Sequence, residues 1–123
     1  MMNDTTEIIE RAMGKLQIFI KPKDKIKSES LMERLRPKQV YRELVKNAKA
    51  DGLMNASVYQ TLSGFSADDK IRVAHPELDN LDLAMCVELI DEKPKLEEFC
   101  KNNAALLKGR MIVYKAVEFW DIK

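Results

Sequence analysis

The sequence is poor in the residues that build metal sites and catalytic centres. It has two cysteines, Cys86 and Cys100, and a single histidine, His75. The cysteines lack the Cys-x-x-Cys spacing of a zinc site and fall within apolar patterns, so we expect them to act as small apolar side chains. No nucleophile and base are spaced for catalysis. The sequence therefore predicts neither a metal centre nor an enzyme.

A charge excess and long apolar runs are also missing. The chain has 21 basic and 20 acidic residues, which gives a formal net charge of +1. Non-specific nucleic-acid binding needs a basic excess, and the third predicted strand lacks the basic and aromatic residues of an RNA-binding module of similar fold. No apolar run approaches the roughly 20 residues that cross a bilayer, and the N-terminus has no signal-peptide profile. We expect a cytoplasmic protein that neither binds nucleic acid nor inserts into membranes.

What the sequence does contain is an ordered series of strand and helix patterns. Period-two patterns predict strands at residues 15–21, 56–62, 81–90 and 111–122, and helical stripes predict helices at residues 37–52 and 94–108. A short N-terminal helix is also predicted, capped by Asp4 or Thr5 and ended by Gly14. The order of the main elements is that of an α+β ferredoxin-like βαββαβ sandwich, with two helices on one face of a four-stranded antiparallel sheet.

The sheet face away from the helices is predicted to carry a large apolar patch. The alternation assigns to it Phe19, Tyr59, Ala84, Cys86, Ile112, Tyr114 and Trp120, mixed with Ser57, Thr61 and Glu118. A monomer would expose too large an apolar patch there. We therefore expect sister subunits to cover this face.

Several segments resemble one known family. They are Lys-Leu-Gln-Ile-Phe-Ile at residues 15–20, Leu44-Val45, residues 56–65 with Gly64-Phe65 at their end, and Val-Glu-Leu-Ile-Asp at residues 87–91. The chain from residue 15 to about residue 121 resembles the PII-like proteins, and most closely their domain-of-unknown-function family 190. The resemblance implies a ferredoxin-fold domain at residues 15–123 with a long loop at about residues 64–80. It leaves residues 1–14 as a helical appendage and residues 26–39 as an insertion.

The resemblance also implies a function and a set of site residues. Such subunits form homotrimers, bind an adenine nucleotide in the clefts between subunits, and contact protein partners through the long loop. The matching positions are Gly64, Phe65 and Ser66 at the loop base, and Lys108, Gly109 and Arg110 in the turn before the last strand. Lys21 and Lys23 end the first strand, where the family has other residues. Amides beside a glycine and a basic side chain suit a phosphate.

Simpler interpretations remain open for these residues. Gly109 can merely end the second helix, Gly64 can merely end a strand, and the lysines can belong to a solvated turn. Asp68 and Asp69 could hold magnesium, or could be solvated loop carboxylates.

The departures from the family limit the function. Residues 66–79 contain no tyrosine and no glutamine, and the last strand lacks the arginine pair of its relatives. These gaps argue against nitrogen sensing through tyrosine modification and 2-oxoglutarate. We expect a PII-like trimeric regulator that binds AMP, ADP or ATP, or alternatively a structural, CutA-like trimer without a nucleotide ligand.

Overall fold

The computed structural model describes residues 5–27, 31–35, 37–65, 69–76 and 80–123 of the chain. Its elements are β1 (Ile8–Ile20), α1 (Leu31–Leu35), α2 (Val40–Ala50), β2 (Asn55–Gln60), β3 (Ser63–Gly64), β4 (Arg72–Val73), β5 (Met85–Asp91), α3 (Lys93–Asn102), α4 (Ala104–Leu107) and β6 (Ile112–Ile122). No helix within these ranges is long and apolar enough to cross a membrane.

The main sheet has four antiparallel strands in the order β2-β5-β1-β6. Alternate residues of β1 and β5 point to one face, where the apolar stripes of α2 and α3 cover them. The largest fully buried side chains of this core are Phe99, Ile18, Leu44, Leu89, Leu96, Val40 and Val87. The predicted ferredoxin-like βαββαβ architecture is confirmed.

The predicted N-terminal helix is wrong. Where the structure describes this region, β1 begins at Ile8 and runs without interruption to Ile20, so the proposed boundary between residues 14 and 15 falls inside a strand. Gly14 does not end a helix. A Cβ at this position would lie 2.5 Å from Cε2 of Tyr114 and 2.9 Å from Cδ1 of Leu96. Glycine at this position allows two side chains to pack closely against the strand backbone, and a larger residue would displace them.

The outer part of β1 forms a two-stranded ribbon with β6. Ile8 to Met13 pair with residues 117–122, whereas pairing with β5 begins only at Gly14. We call this segment, residues 8–13 with residues 117–122, the ribbon arm. Large apolar side chains on it are exposed, including Trp120 at 55% and Ile122 at 67%. Apart from Met13, which is buried, the arm is thus hydrogen-bonded but largely uncovered.

The predicted faces of the last strand are also wrong. Ile112 pairs with Ile18 and Tyr114 pairs with Leu16, so both lie on the side of the sheet that the helices cover. The same alternation places Trp120 on that side. The register of a strand decides on which face of the sheet each side chain lies. After the turn before β6, the register of this strand differs by one residue from the predicted one, so its two faces are exchanged.

The helix-free face consequently carries fewer apolar side chains than predicted. Phe19 and Tyr59 do lie there, on either side of Cys86, as predicted. Next to them, however, Lys15 pairs with Glu88, with 3.5 Å between Nζ and Oε1. The exposed apolar surface is therefore concentrated on the ribbon arm more than on the flat of the sheet.

Candidate functional site

A cavity of about 320 Å³ lies where β1 ends, beside the turn that leads into β6. Its lining residues are Phe19, Ile20, Lys21, Lys23, Asp24, Ala84, Gly109, Arg110 and Met111. The strand ends here because Pro22 cannot donate to the ladder. The backbone then turns, and the Lys23 amide donates to the Leu81 carbonyl, 3.2 Å away. Residues far apart in sequence therefore meet at one edge of the sheet.

Arg110 is held in this cavity from two directions. Its Nε donates a hydrogen bond to the carbonyl of Leu106 at 2.7 Å, and its Nη1 donates to Oδ2 of Asp24 at 2.9 Å. The same carboxylate oxygen accepts the backbone N–H of Lys21 at 3.1 Å. A guanidinium and a backbone amide thus converge on one anionic oxygen, which is the donor set that also binds phosphate.

The Lys108–Arg110 turn depends on glycine. Gly109 has φ +79°, a conformation that other residues adopt at a cost, and a Cβ there would meet nothing within 4 Å. The turn follows directly on α4, so the helix-ending role that the sequence suggested is real. This role does not exclude a part in ligand binding, because Gly109 and Arg110 both line the cavity.

Two lysines at the end of β1 are tied to the region after β2 by ion pairs. Lys21 Nζ lies 2.8 Å from Oδ2 of Asp69, and Lys23 pairs with Asp82. Arg72 of β4 bridges the two carboxylates, at 3.3 Å from Asp69 and 3.8 Å from Asp82. We call these five residues the loop-base cluster. It connects the exit of β1 with the short β3–β4 hairpin.

The cluster shifts the acidity of its carboxylates. The Lys21 ammonium, and after it Arg72, lowers the pKa of Asp69 far below its ordinary value. The Lys23 ammonium lowers the pKa of Asp82 in the same way. Both shifts arise because nearby positive charge favours the ionised carboxylate. At neutral pH the cluster is therefore three cations holding two carboxylates.

The structure brings together only part of the residues proposed from the sequence. Lys21, Lys23, Gly109 and Arg110 share the cavity lining. Three others lie outside that lining. They are Lys108, which is exposed at the end of α4, Gly64, which lies in β3 with φ +151°, and Phe65, which is 65% exposed. Ser66 falls outside the described residues.

Sequence reasoning missed the carboxylates of the site. Asp24 lies in the turn noted for its lysines, and its position between Lys23 and Lys25 was the one available signal. The sequence suggested Asp69 only as a magnesium ligand. Among the described residues, no group of three potential ligands is arranged for a metal ion. The role of Asp69 as a partner of Lys21 follows from a contact across 48 positions of the chain, which no local pattern records.

Solved structures with the same architecture are PII-like proteins. A structure of CPII, a nitrogen regulatory PII-like protein from Thiomonas intermedia K12, bound to ADP, AMP and bicarbonate, matches with a TM-score of 0.57 and 9% identity, over 92% of this chain and 91% of that chain. A putative PII-like signaling protein from Thermus thermophilus matches with a TM-score of 0.52 and 11% identity, over 91% of both chains. At these identities the likeness shows the fold, which is that of the PII-like class.

The sequence identifies the family. The family model for DUF190, described as "Uncharacterized ACR", matches residues 13–119. A UPF0166 protein from Aquifex aeolicus (strain VF5) is 26% identical over 70 residues, which are 57% of this chain and 73% of that protein. The chain belongs to the DUF190 family, and the resemblance seen in its sequence is confirmed.

Proposed function

We propose that this chain is a PII-like regulatory protein that binds an adenine nucleotide at the end of β1. The observation that carries the proposal is the convergence of Arg110, Lys21 and Lys23 on one cavity beside the Gly109 turn. Phosphate groups are bound by such sets of guanidinium, ammonium and backbone amide donors. The solved CPII structure bound to ADP, AMP and bicarbonate has the same fold, which makes an adenine nucleotide the first ligand to test.

The cavity is suited to the phosphates more than to the whole nucleotide. At about 320 Å³ it lies at the lower end of the 300–1,000 Å³ that is typical of small-molecule sites. Its lining combines apolar residues, among them Phe19, Ala84 and Met111, with charged ones. A neighbouring copy would supply the missing wall for the base. We therefore propose that the site lies in the cleft between subunits of a homotrimer.

The ribbon arm supports an assembly. Its exposed side chains include Ile8, Ile9, Trp120 and Ile122, and they belong to a two-stranded ribbon that extends beyond the four-stranded sheet. Two strands alone gain little stability in water unless something packs against them. Apolar side chains on both strands of the ribbon are suited to burial against other copies of the chain.

A protein partner is the remaining part of the proposal. The β3–β4 hairpin and its flanks expose Leu62, Phe65, Ile71 and Val73, each by 65% or more. Four large apolar side chains on one short hairpin favour contact with an apolar surface of another protein. The function is then regulatory: the nucleotide is sensed at the hairpin base and the hairpin contacts the partner.

Calorimetric titration with AMP, ADP and ATP tests the nucleotide site. We expect Arg110→Gln to weaken binding about 10- to 100-fold, because hydrogen bonds to charged groups contribute about 1.5–3 kcal/mol. Lys49→Gln is the matched control, since it also removes one positive charge but from the exposed end of α2. No heat at millimolar nucleotide, or equal loss in both variants, would contradict the proposal.

A structural trimer without a nucleotide is the second candidate. It is favoured by one observation: each cation of the cavity already has a carboxylate partner, Asp69 for Lys21, Asp82 for Lys23 and Asp24 for Arg110. Neutralised cations attract a phosphate less than free ones. Under this alternative the trimer forms, but calorimetry detects no binding of AMP, ADP or ATP.

A further inference from the structure

We infer that the chain has a second anion-binding surface, which docks on the headgroups of an anionic lipid bilayer. The surface consists of the short helix α1 and of a groove that we call the basic groove, lined by Lys25, Lys38, Arg42 and Lys46. The basic groove shares no lining residue with the cavity at the end of β1. The inference therefore does not depend on the proposed nucleotide site.

The positive charge of the chain is concentrated around this groove. Residues 21–46 contain nine basic and four acidic residues, whereas the rest of the chain contains 12 basic and 16 acidic ones. A chain that is nearly neutral as a whole thus has a basic segment and an acidic remainder. A segment with a clear excess of one sign is suited to a partner of the opposite sign.

Backbone hydrogen bonds fix the two sides of the basic groove against each other. The Ile26 amide donates to the Lys38 carbonyl at 2.9 Å, and the Val40 amide donates to the Asp24 carbonyl at 3.0 Å. These bonds join the turn after β1 to the start of α2, where the Val40 side chain is buried in the core. The cations of the groove therefore lie on an ordered backbone.

The cations of the basic groove differ from those of the first cavity in their partners. Lys21, Lys23 and Arg110 each pair with an aspartate. In contrast, no carboxylate of the described residues forms an ion pair with a cation of the basic groove, although Glu43 also lines it. All four cationic side chains are exposed. Their attraction for an external anion is therefore not cancelled by a neighbouring carboxylate.

The helix α1 adds apolar side chains next to the basic groove. Leu31, Met32 and Leu35 are each more than 70% exposed. Leu35 comes two residues before Pro37, which lines the groove, and two residues of chain span at most about 7 Å. Aliphatic side chains beside basic ones are typical of segments that lie in the interface of an anionic bilayer, where the cations meet lipid phosphates and the aliphatic groups enter the acyl boundary.

The composition of this surface favours lipid over a protein or a nucleic acid. Protein interfaces are depleted in lysine, whereas three of the four cations here are lysines. Single-stranded nucleic acids stack their bases on aromatic rings, whereas the most exposed side chains here are aliphatic. A fluid bilayer accepts protruding aliphatic side chains without a pocket of matching shape. The contact is with the membrane surface and requires no spanning segment.

Co-sedimentation of the full-length chain with lipid vesicles tests the inference. We expect binding to vesicles of phosphatidylglycerol and phosphatidylcholine in equal parts, and none to pure phosphatidylcholine. Binding should be weaker at about 0.5 M than at about 0.1 M NaCl, because salt screens exposed charges. Circular dichroism of each variant verifies that it folds.

A pair of charge reversals tests the basic groove. Lys38→Glu together with Lys46→Glu should weaken binding to the anionic vesicles at least about 25-fold, because each basic residue near an anionic surface contributes a factor of about five. Lys93→Glu together with Lys101→Glu is the matched control, since it makes the same change of net charge on exposed positions of α3. The control pair should lose far less affinity.

A second pair of substitutions tests α1. Leu31→Gln together with Leu35→Gln should weaken vesicle binding about 10-fold, because removing aliphatic side chains from water contributes about this much even when they are partly buried. Leu62→Gln together with Ile71→Gln changes equally exposed apolar residues beside the β3–β4 hairpin and should bind as the natural chain does.

Three results would overturn the inference. The first is the absence of binding to the anionic vesicles at about 0.1 M NaCl, above all if a polyglutamate peptide binds instead, which would assign the groove to an acidic protein. The second is an equal loss in the two charge-reversal pairs, which would show that net charge and not the groove decides binding. The third is a loss in the hairpin pair but not in the α1 pair, which would assign the lipid contact to the hairpin.

Discussion

The two ends of β1 differ sharply in what they present to solvent. At the N-terminal end, Ile8 and Ile9 are exposed on the ribbon arm. At the C-terminal end, Ile20 is buried and Lys21 begins a set of paired charges. The apolar end is suited to contact with protein, and the charged end is suited to a small anion. One strand therefore links the proposed assembly surface to the proposed ligand site.

The part of β1 that is hydrogen-bonded to a neighbouring strand is longer than the part that the helices bury. β1 is paired with β6 along both its halves, from Ile8 to Ile18. Only the inner half is covered by α2 and α3, so only there do alternate side chains become fully buried. Backbone pairing extends a strand, whereas stability comes mainly from the apolar area that helices remove from water.

The largest expected effect contrasts the same substitution in the two halves. Ile18→Ala removes a fully buried side chain and should lower the free energy of unfolding by about 2–5 kcal/mol. Ile8→Ala, whose side chain is 53% exposed, should leave the secondary structure intact and act mainly on subunit association. Urea unfolding followed by circular dichroism and sedimentation measures both. Equal losses of folding stability in dilute protein would contradict the division of β1.

A smaller effect is expected where the two halves meet. Gly14→Ala places a methyl group against Tyr114 and Leu96, and overpacking of this kind costs about 1–3 kcal/mol. The half-exposed Tyr114 ring can swing outward, which keeps the loss at the low end and separates the ring from the Lys93 ammonium, now 5.3 Å from its centroid. Thermal unfolding gives the stability. A variant as stable as the natural chain would show that the ring does not pack on Gly14.

The smallest effect concerns the charged end and its pH dependence. Because the folded pKa of Asp69 is lowered, its stabilisation is fully present above the ordinary aspartate pKa of about 3.9 and is lost as pH falls through the lowered value. The stability difference between the natural chain and Asp69→Asn should therefore be constant between neutral and mildly acidic pH. It should shrink only at strongly acid pH. Urea unfolding across this range measures it, and a difference that fades already at mildly acidic pH would mean that Lys21 does not hold Asp69.

Much of the fold could be predicted because its signals are local. The inner half of β1, the stripe of α2 and the alternation of β5 each repeat with the period of their element. The prediction of an N-terminal helix was wrong because it used only local signals, a capping residue and Gly14. The pairing of Ile8 with Ile122, which makes this segment a strand, joins residues that are far apart in the sequence. The faces of β6 were wrong because a turn, not the strand pattern, sets the register.

The residues of the candidate site also fall into two groups, those that local signals in the sequence predict and those that only folding brings together. Lys21, Lys23, Gly109 and Arg110 follow recognisable strand or helix ends, and the structure brings these four to one cavity. Their carboxylate partners are fixed only by folding, since Asp24 meets Arg110 across 86 positions. Gly64, in β3, and Phe65, which follows it, lie outside the cavity lining. Their place at a ligand, which the family resemblance implies, stays a prediction.

Native mass spectrometry of the natural chain, with and without ADP, tests the central claim most directly because it reports subunits and ligands together. We predict a trimer that gains ADP, and the same trimer without ADP when Arg110→Gln is measured at equal nucleotide concentration. A monomer, or a trimer that never gains nucleotide, would contradict the proposed function.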